Sequence, residues 1–227
     1  MSQDSRTSPN PPTSPNSPTS LSAQYFREVY AAADDPFMLD SKWYERRKYA
    51  LTMASLPKPQ YRRALEPGCS IGVLTEQLAT RCEHVVSTDV VQSALDSARA
   101  RVQDSAAVEF ALWSLTDDWS ALPDAKVPFD LIVVSEVGYY LDAADLASAM
   151  NRVVDHLEIG GTLVAAHWRH DVDDYPISGD RVHEIIAATP GLALLSRYLD
   201  EDVRIEVFVA SDDPAVSVAS TDGLDVR

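Results

Sequence analysis

The chain has 227 residues, 14 prolines, two cysteines and a formal net charge of −16, with 45% hydrophobic and 24% charged side chains. That length and balance suit one globular domain, and the longest apolar runs, such as Leu131-Ile132-Val133-Val134, are too short to cross a membrane. The acidic charge argues against a nucleic-acid partner, while the lack of a secretory signal and the unpatterned Cys69 and Cys82 point to a reducing, cytoplasmic setting.

Residues 1–20 hold five prolines and almost no apolar side chains, and read as a disordered tail. One globular domain is expected over residues 21–210, with a flexible acidic tail over 211–227. Two helices open it, one over Ser22 to Tyr30 and one from about Ser41 to Ser55 that stops at Pro57. Seven of the nineteen Lys and Arg fall between Lys42 and Arg63, and Lys48 and Lys58 read as part of a solvated face. From Tyr61, short apolar runs alternate with helical periodicity. Arg63-Ala64-Leu65 enters a glycine-containing loop, and Val73, Leu74, Leu78 and Cys82 follow at helical spacing. A strand is expected over His84 to Asp89, a helix over Val91 to Val102, and a strand over Val108 to Trp113. The run from Phe129 to Val137 suits a strand buried on both faces. Leu146 to Leu157 suits a helix ended by Gly160-Gly161, with the next strand over Thr162 to Trp168. Leu192 to Leu199 and Val203 to Ala210 suit an antiparallel hairpin. The alternation predicts an α/β fold with helices on both faces of a mostly parallel sheet, a lid over 21–57 and a core over 61–210.

The loop Glu66-Pro67-Gly68-Cys69-Ser70-Ile71-Gly72 sits between the first strand of the core and its first helix. Ligands of open α/β sheets bind beyond the carboxyl ends of the strands, and glycines there admit close approach. Asp89, ending the second strand, suits a ribose diol because a carboxylate accepts from both hydroxyls. A dinucleotide site would favour G-x-G-x-x-G, whereas this loop reads G-x-S-x-G behind an acidic residue. A carboxylate there is a poor neighbour for pyrophosphate and a good one for a cationic ligand.

The pattern (acidic)-x-G-x-G-x-G followed by an acidic residue resembles class I methyltransferases, with Ser70 at the middle glycine. Trp43-Tyr44-Glu45-Arg46-Arg47-Lys48, Phe129 to Leu141, His167-Trp168-Arg169 and Tyr175 to His183 follow in order. Together these blocks resemble the nodulation protein S (NodS) family of S-adenosylmethionine-dependent methyltransferases, over about Tyr25 to Ala210. The resemblance implies a Rossmann-like seven-stranded sheet with a C-terminal antiparallel hairpin. It also implies the cofactor S-adenosyl-L-methionine, no metal, and a small-molecule acceptor such as an amino sugar or a deacetylated chitooligosaccharide-like glycan.

By that resemblance Glu66, Gly68, Ser70 and Gly72 would line the methionine and ribose side of the cofactor. Asp89 would hold the ribose, Val90 would pack on adenine, and Ser114 and Leu115 would stand at the adenine edge. Ser135, Glu136 and Val137 would lie beneath the transferred methyl, and Arg47 or Arg46 would reach the cofactor carboxylate or a substrate anion. Glu136, His167, Asp180 and His183 are candidate bases; Asp180 could instead cap a helix. Tyr44, Tyr140, Trp168, Arg169 and Tyr175 are candidate acceptor contacts, together with Tyr139. The run His167 to Asp174 has metal-ligand residue types but no helical i, i+4 pairing. Three alternatives remain: an O-methyltransferase of natural-product biosynthesis, a nicotinamide oxidoreductase, or a non-catalytic cofactor-binding partner.

Overall fold

The structure, a computed structural model, describes residues 19–103 and 105–224. The expected tail over 1–20 lies outside these, apart from Thr19 and Ser20.

Seven strands build one sheet: β1 (Tyr61–Pro67), β2 (Cys82–Asp89), β3 (Val108–Leu112), β4 (Phe129–Ser135), β5 (Leu157–Trp168), β6 (Leu192–Leu199) and β7 (Val203–Ala210). Their order is β3-β2-β1-β4-β5-β7-β6. β1 to β5 run parallel, and β7 inserts antiparallel between β5 and β6, as expected of the C-terminal hairpin. Strand order reverses between β1 and β4, so a crevice must open there at the strands' carboxyl ends.

The period-two alternation of strand side chains divides the core in two. Ile132 and Val134 of β4 face one layer, where they meet α5 (Ala143–His156) and α6 (Gly179–Ala187). Leu131 and Val133 face the other, against α2 (Trp43–Ser55) and α3 (Val73–Leu78). α4 (Gln92–Arg101) adds Leu95 and Ala98 over Cys69 of the loop after β1. α1 (Ala23–Ala32) buries none of its residues fully, and α7 (Val218–Thr221) is a single turn near the end of the described chain. No described helix is long and apolar enough to cross a membrane.

Boundaries differ from the periodicity in three places. Cys82 belongs to β2, because α3 ends at Leu78. α2 begins at Trp43, and Trp43 is exposed although it stands in the apolar pattern. Gly160-Gly161 do not end a helix: α5 ends at His156, and β5 already starts at Leu157. Gly160 adopts φ +76°, which lets β5 bulge, so that Phe129 pairs with Leu157 but Leu131 pairs with Thr162.

α1 and the two residues before its cap are fastened across the crevice. The Leu21 N–H donates to the Tyr140 carbonyl at 2.8 Å, and the Ser20 hydroxyl donates to Asp145 and accepts from the Asp142 N–H. Phe26 meets Tyr140 edge-on with ring centroids 4.8 Å apart, and the Tyr30 hydroxyl donates to that of Ser70.

Candidate active site

A cavity of about 910 Å3 lies at the carboxyl ends of β1 to β5, under α1 and α2. At its floor the chain turns sharply at Gly68, where φ is +69° and a Cβ would stand only 2.2 Å from Val137 Cγ1. That close approach requires glycine. Ser70 also takes a left-handed conformation, φ +51°. Its N–H donates to Asp89 Oδ2 at 3.0 Å, while Asp89 Oδ1 accepts from the Val91 N–H at 3.0 Å. Both oxygens are thereby oriented, and each keeps a lone pair for a further donor. Burial raises the Asp89 pKa against the pull of these backbone donors.

Glu66 is buried, and its Oε2 accepts from the hydroxyls of Thr75 at 2.6 Å and Ser87 at 2.8 Å. Burial outweighs those donors and pushes its pKa up to about 7. At the adenine edge expected from the sequence, Ser114 and Leu115 border the cavity. Asp117 stands beside them and accepts the Ser114 N–H at 2.9 Å, a cavity-lining residue that the sequence did not signal.

Glu136 follows β4 with φ +57°. Its N–H is held by the Ala166 carbonyl at 2.8 Å. Its Oε1 accepts from the Trp168 N–H at 3.0 Å, and its Oε2 accepts from the Tyr139 hydroxyl. Lys48 reaches down from α2 with Nζ 3.4 Å from Glu136 Oε1 and 2.7 Å from Glu45 Oε2. Lys48 is only 1% exposed, which corrects its expected place on a solvated face. Two carboxylates and the rings of Tyr44 and Tyr49, 5.3 and 5.2 Å from Nζ, make its burial possible. Tyr44 meets Trp168 edge-on at 4.8 Å, and Tyr139 stacks on Tyr175 at 4.7 Å with Tyr140 alongside. The Tyr44 hydroxyl and the Ser135 hydroxyl are buried without a partner.

The cavity therefore brings together Glu66, Gly68, Ser70, Asp89, Val90, Ser114, Leu115, Ser135, Glu136 and Val137 with Tyr44, Tyr140, Trp168 and Tyr175. Seven other candidates lie off it. Gly72 starts α3 against α4, where a Cβ would sit 2.9 Å from Ala98. Arg47 points to the hairpin and pairs with Asp200 at 2.9 Å, and Arg46 bonds the carbonyl of Ser41. Asp180 is forked by Arg169 at 3.0 and 3.1 Å, which lowers the Asp180 pKa. The cap of α6 is Ser178, whose hydroxyl accepts the Arg181 N–H, so Asp180 is not that cap.

His167 and His183 correct the expectation most. Neither ring is exposed, and neither borders the cavity. His167 Nε2 accepts the Gly138 N–H at 3.1 Å, and its Nδ1 lies 3.2 Å from His183 Nε2. His183 Nδ1 lies 2.7 Å from Glu206 Oε2. The Gly138 amide can only donate and the Glu206 carboxylate can only accept, so the tautomers follow: each Nδ1 carries the proton. His167 has no free lone pair for an acceptor molecule. Among the described residues no three His, Cys, Asp or Glu side chains gather as a metal site, and His170 pairs with Asp202 at 2.8 Å.

Comparison with known proteins places this geometry. A family model of nodulation protein S (NodS) matches residues 22–178. Nodulation protein S of Rhizobium tropici is 34% identical over 183 residues, which is 80% of this chain and 72% of that protein. The Sinorhizobium fredii protein of that name is 35% identical over 135 residues, 59% of this chain and 60% of that one. The crystal structure of N-methyltransferase NodS from Bradyrhizobium japonicum WM9, in complex with S-adenosyl-L-homocysteine, superposes with a TM-score of 0.72 at 28% identity. That match covers 83% of this chain and 97% of that one. This chain belongs to the nodulation protein S family of S-adenosylmethionine-dependent methyltransferases.

Proposed function

We propose that this S-adenosylmethionine-dependent methyltransferase N-methylates an amino sugar, such as the glucosamine end of a deacetylated chitooligosaccharide-like glycan. The observation that carries the acceptor reading is the Glu136 carboxylate, set with Glu45 behind a wall of Tyr44, Tyr139, Tyr140, Trp168 and Tyr175. Carboxylates favour an amine, and aromatic faces suit the flat apolar side of a sugar ring. The N-methyltransferase relative from Bradyrhizobium supports nitrogen as the acceptor atom.

The residues fit the cofactor. The Gly68 turn leaves room that a side chain would fill, the Ser135 hydroxyl is buried without a partner, and Asp89 is fixed with lone pairs to spare. Glu66, Gly68 and Ser70 would hold its methionine and ribose side, Asp89 its ribose hydroxyls, and Val90, Ser114 and Leu115 its adenine. When bound, the cofactor supplies an electrophilic methyl on a sulfonium. The chain's own part is to align and to dry the site. Glu136, already oriented by the Trp168 N–H and the Tyr139 hydroxyl, would accept a hydrogen from the acceptor amine and aim its lone pair. The unpartnered Tyr44 hydroxyl would accept or donate a second bond. α1 and α2, residues 21–57 of the proposed lid, would exclude water from the 61–210 core.

The test is mass spectrometry of products from glucosamine-terminated oligosaccharides, phenols and carboxylates offered side by side. Mass gain on the amine of the sugar is expected. Transfer to phenols alone would favour the O-methyltransferase reading, which the same aromatic wall also accommodates.

A further inference from the structure

The turn after β4 is held by three consecutive residues of β5. The Ala166 carbonyl accepts the Glu136 N–H at 2.8 Å, His167 Nε2 accepts the Gly138 N–H at 3.1 Å, and the Trp168 N–H donates to Glu136 Oε1 at 3.0 Å. The turn needs holding, because Glu136 is not glycine and takes φ +57°. It also carries the Tyr139 hydroxyl onto Glu136 Oε2, and the Tyr139 ring meets the His167 ring edge-on at 5.3 Å. On the β5 side, the first and last ties are backbone groups. Only the middle tie depends on a side chain, and on which of its ring nitrogens is bare.

That choice is made two residues further along the chain of hydrogen bonds. The Gly138 amide can bond only a bare Nε2, so His167 must carry its proton on Nδ1 and needs an acceptor there. His183 Nε2, 3.2 Å away, accepts only while its own proton sits on Nδ1, and Glu206 Oε2 keeps it there at 2.7 Å. Arg197 and Arg204 both bond Glu206 Oε1 and so leave Oε2 for His183. The side chains of His167, His183 and Glu206 are 0% exposed, so bulk water offers none of them a substitute partner. Burial lowers the pKa of both histidines, which keeps each ring neutral with one bare nitrogen.

We propose that Glu206, acting through His183 and His167, is a positioning residue for methyl transfer: it sets the tautomer with which His167 holds the Gly138 amide, and thereby keeps the Tyr139 hydroxyl on the carboxylate that orients the acceptor. The effect on transfer rests on the amine-acceptor reading above; the setting of the tautomers does not. Glu206 lies on β7 and does not border the cavity. Its influence passes by hydrogen-bond polarity, with no proton entering or leaving the chain.

Glu206→Gln keeps the shape and inverts that polarity. The two arginines draw the amide oxygen to the Oε1 position, so the NH2 group faces His183 Nδ1. His183 must then carry its proton on Nε2, and His167 Nδ1 must accept it. The His167 proton moves to Nε2, where it meets the Gly138 N–H. Two donors face each other, and the turn loses its middle tie.

The experiment has two readouts, both at pH 7.5 and well below the unfolding midpoint. Long-range proton–nitrogen NMR correlation of histidine-labelled protein shows which ring nitrogens carry protons. Kinetics on a glucosamine-terminated oligosaccharide are measured beside calorimetric affinity for S-adenosylhomocysteine. Both histidines should carry the proton on Nδ1 in the wild type and on Nε2 in Glu206→Gln. In that variant the acceptor kcat/KM should fall about 10-fold or more, as for a reacting group displaced from a distance, while cofactor affinity changes less than about twofold. In a Tyr139→Phe background the same substitution should cost less than about threefold, because the hydroxyl it would misplace is gone. His183→Gln keeps the chain testable if Glu206→Gln does not fold. Its amide presents an oxygen to the His167 Nδ1–H and an NH2 to Glu206, so the polarity survives and kcat/KM should stay within about threefold of the wild type. A wild-type His167 protonated on Nε2 overturns the proposal. So does an unchanged kcat/KM in Glu206→Gln, an equal loss in both Tyr139 backgrounds, or a loss of about 10-fold in His183→Gln. A wild type that methylates no amine overturns the acceptor reading instead, while the tautomers still judge the chain.

Discussion

His167 Nδ1 donates to His183 Nε2 across 3.2 Å, and the two imidazoles link the Gly138 amide to the Glu206 carboxylate inside the core. Glu206 is further bonded by Arg197 and Arg204, and although burial alone would raise its pKa, the His183 hydrogen bond together with these two donors holds it at about 2. The chain ends under Gly138, in the turn that carries Tyr139 and Tyr140 to the acceptor wall. A Cβ at Gly138 would stand 2.9 Å from His167 Nε2, so glycine and histidine are matched there. His167→Ala should destabilise the fold by about 1–3 kcal/mol, the cost of stranding buried polar partners. Urea unfolding at pH 7.5 measures this. Cofactor affinity per folded molecule should stay within about twofold, since the ring does not reach the cavity.

Acid should loosen the molecule through the same pair. Burial lowers the pKa of both histidines below the ordinary 6.5. The unfolded chain therefore binds protons that the folded chain refuses, so their stabilisation is complete above about pH 6.5 and declines as pH falls through it. The urea midpoint should drop between pH 7.5 and 5.5. His183→Gln should be less stable at pH 7.5 but show a shallower drop. A slope as steep as that of the wild type would remove His183 from the account.

Glu66 should act in the opposite sense. Its pKa, raised to about 7, means that the folded chain binds a proton between about pH 4.5 and 7 that the unfolded chain has released. Its contribution to stability is full below about 4.5 and is lost as pH rises through 7. Glu66→Gln should therefore steepen the acid loss seen in urea. In the proposed role beside the methionine end of the cofactor, ionised Glu66 should also strengthen binding. Calorimetric affinity for S-adenosylmethionine should then weaken from pH 8 to pH 6 in the wild type and stay level in Glu66→Gln.

Asp89→Ala should weaken cofactor binding by about 1–3 kcal/mol, the cost of losing hydrogen bonds to a charged acceptor. Asp89→Asn is the stricter probe, because it preserves size while replacing one oxygen that orders the Ser70 and Val91 amides. Unchanged affinity in both would remove Asp89 from the proposed ribose contact.

Gly68→Ala should abolish measurable cofactor binding. The new methyl meets Val137 Cγ1 at 2.2 Å, and alanine is strained at φ +69°. Displacing Val137 would also move the turn after Glu136. Pairing Gly68→Ala with Val137→Ala should restore part of the fold's stability, read by thermal unfolding, but not the strain.

The strand–helix alternation, the loop from Glu66 to Gly72 and Asp89 were legible because they are local signals: periodicity, small residues at a turn, and a carboxylate at a strand end. What failed was side-chain direction. Lys48 read as surface because helical spacing records polarity but not a partner, and Glu136 is brought under it only by the β4–β5 register. His167 read as ligand-facing because it ends a strand. Period-two alternation instead turns its ring to the α6 side, toward His183, and leaves Trp168 for the cavity. Tyr30 and Asp117 carried no signal at all, since their neighbours at Ser70 and Ser114 depend on how α1 and the loop after β3 settle.

The fastening of α1 reverses the order of the chain. Its hydrogen bonds join Ser20 to Asp145 and Asp142, across 125 and 122 residues, and Tyr30 to Ser70, across 40. A ribosome delivers Ser20 long before Asp145 exists, so the earliest part of the domain must wait unattached until α5 has been made. Contacts so distant in sequence carry a loop-closure cost that local contacts do not. The cover of the cavity is thus made before the residues that hold it, and it cannot be fastened until residues 142–145 have been added.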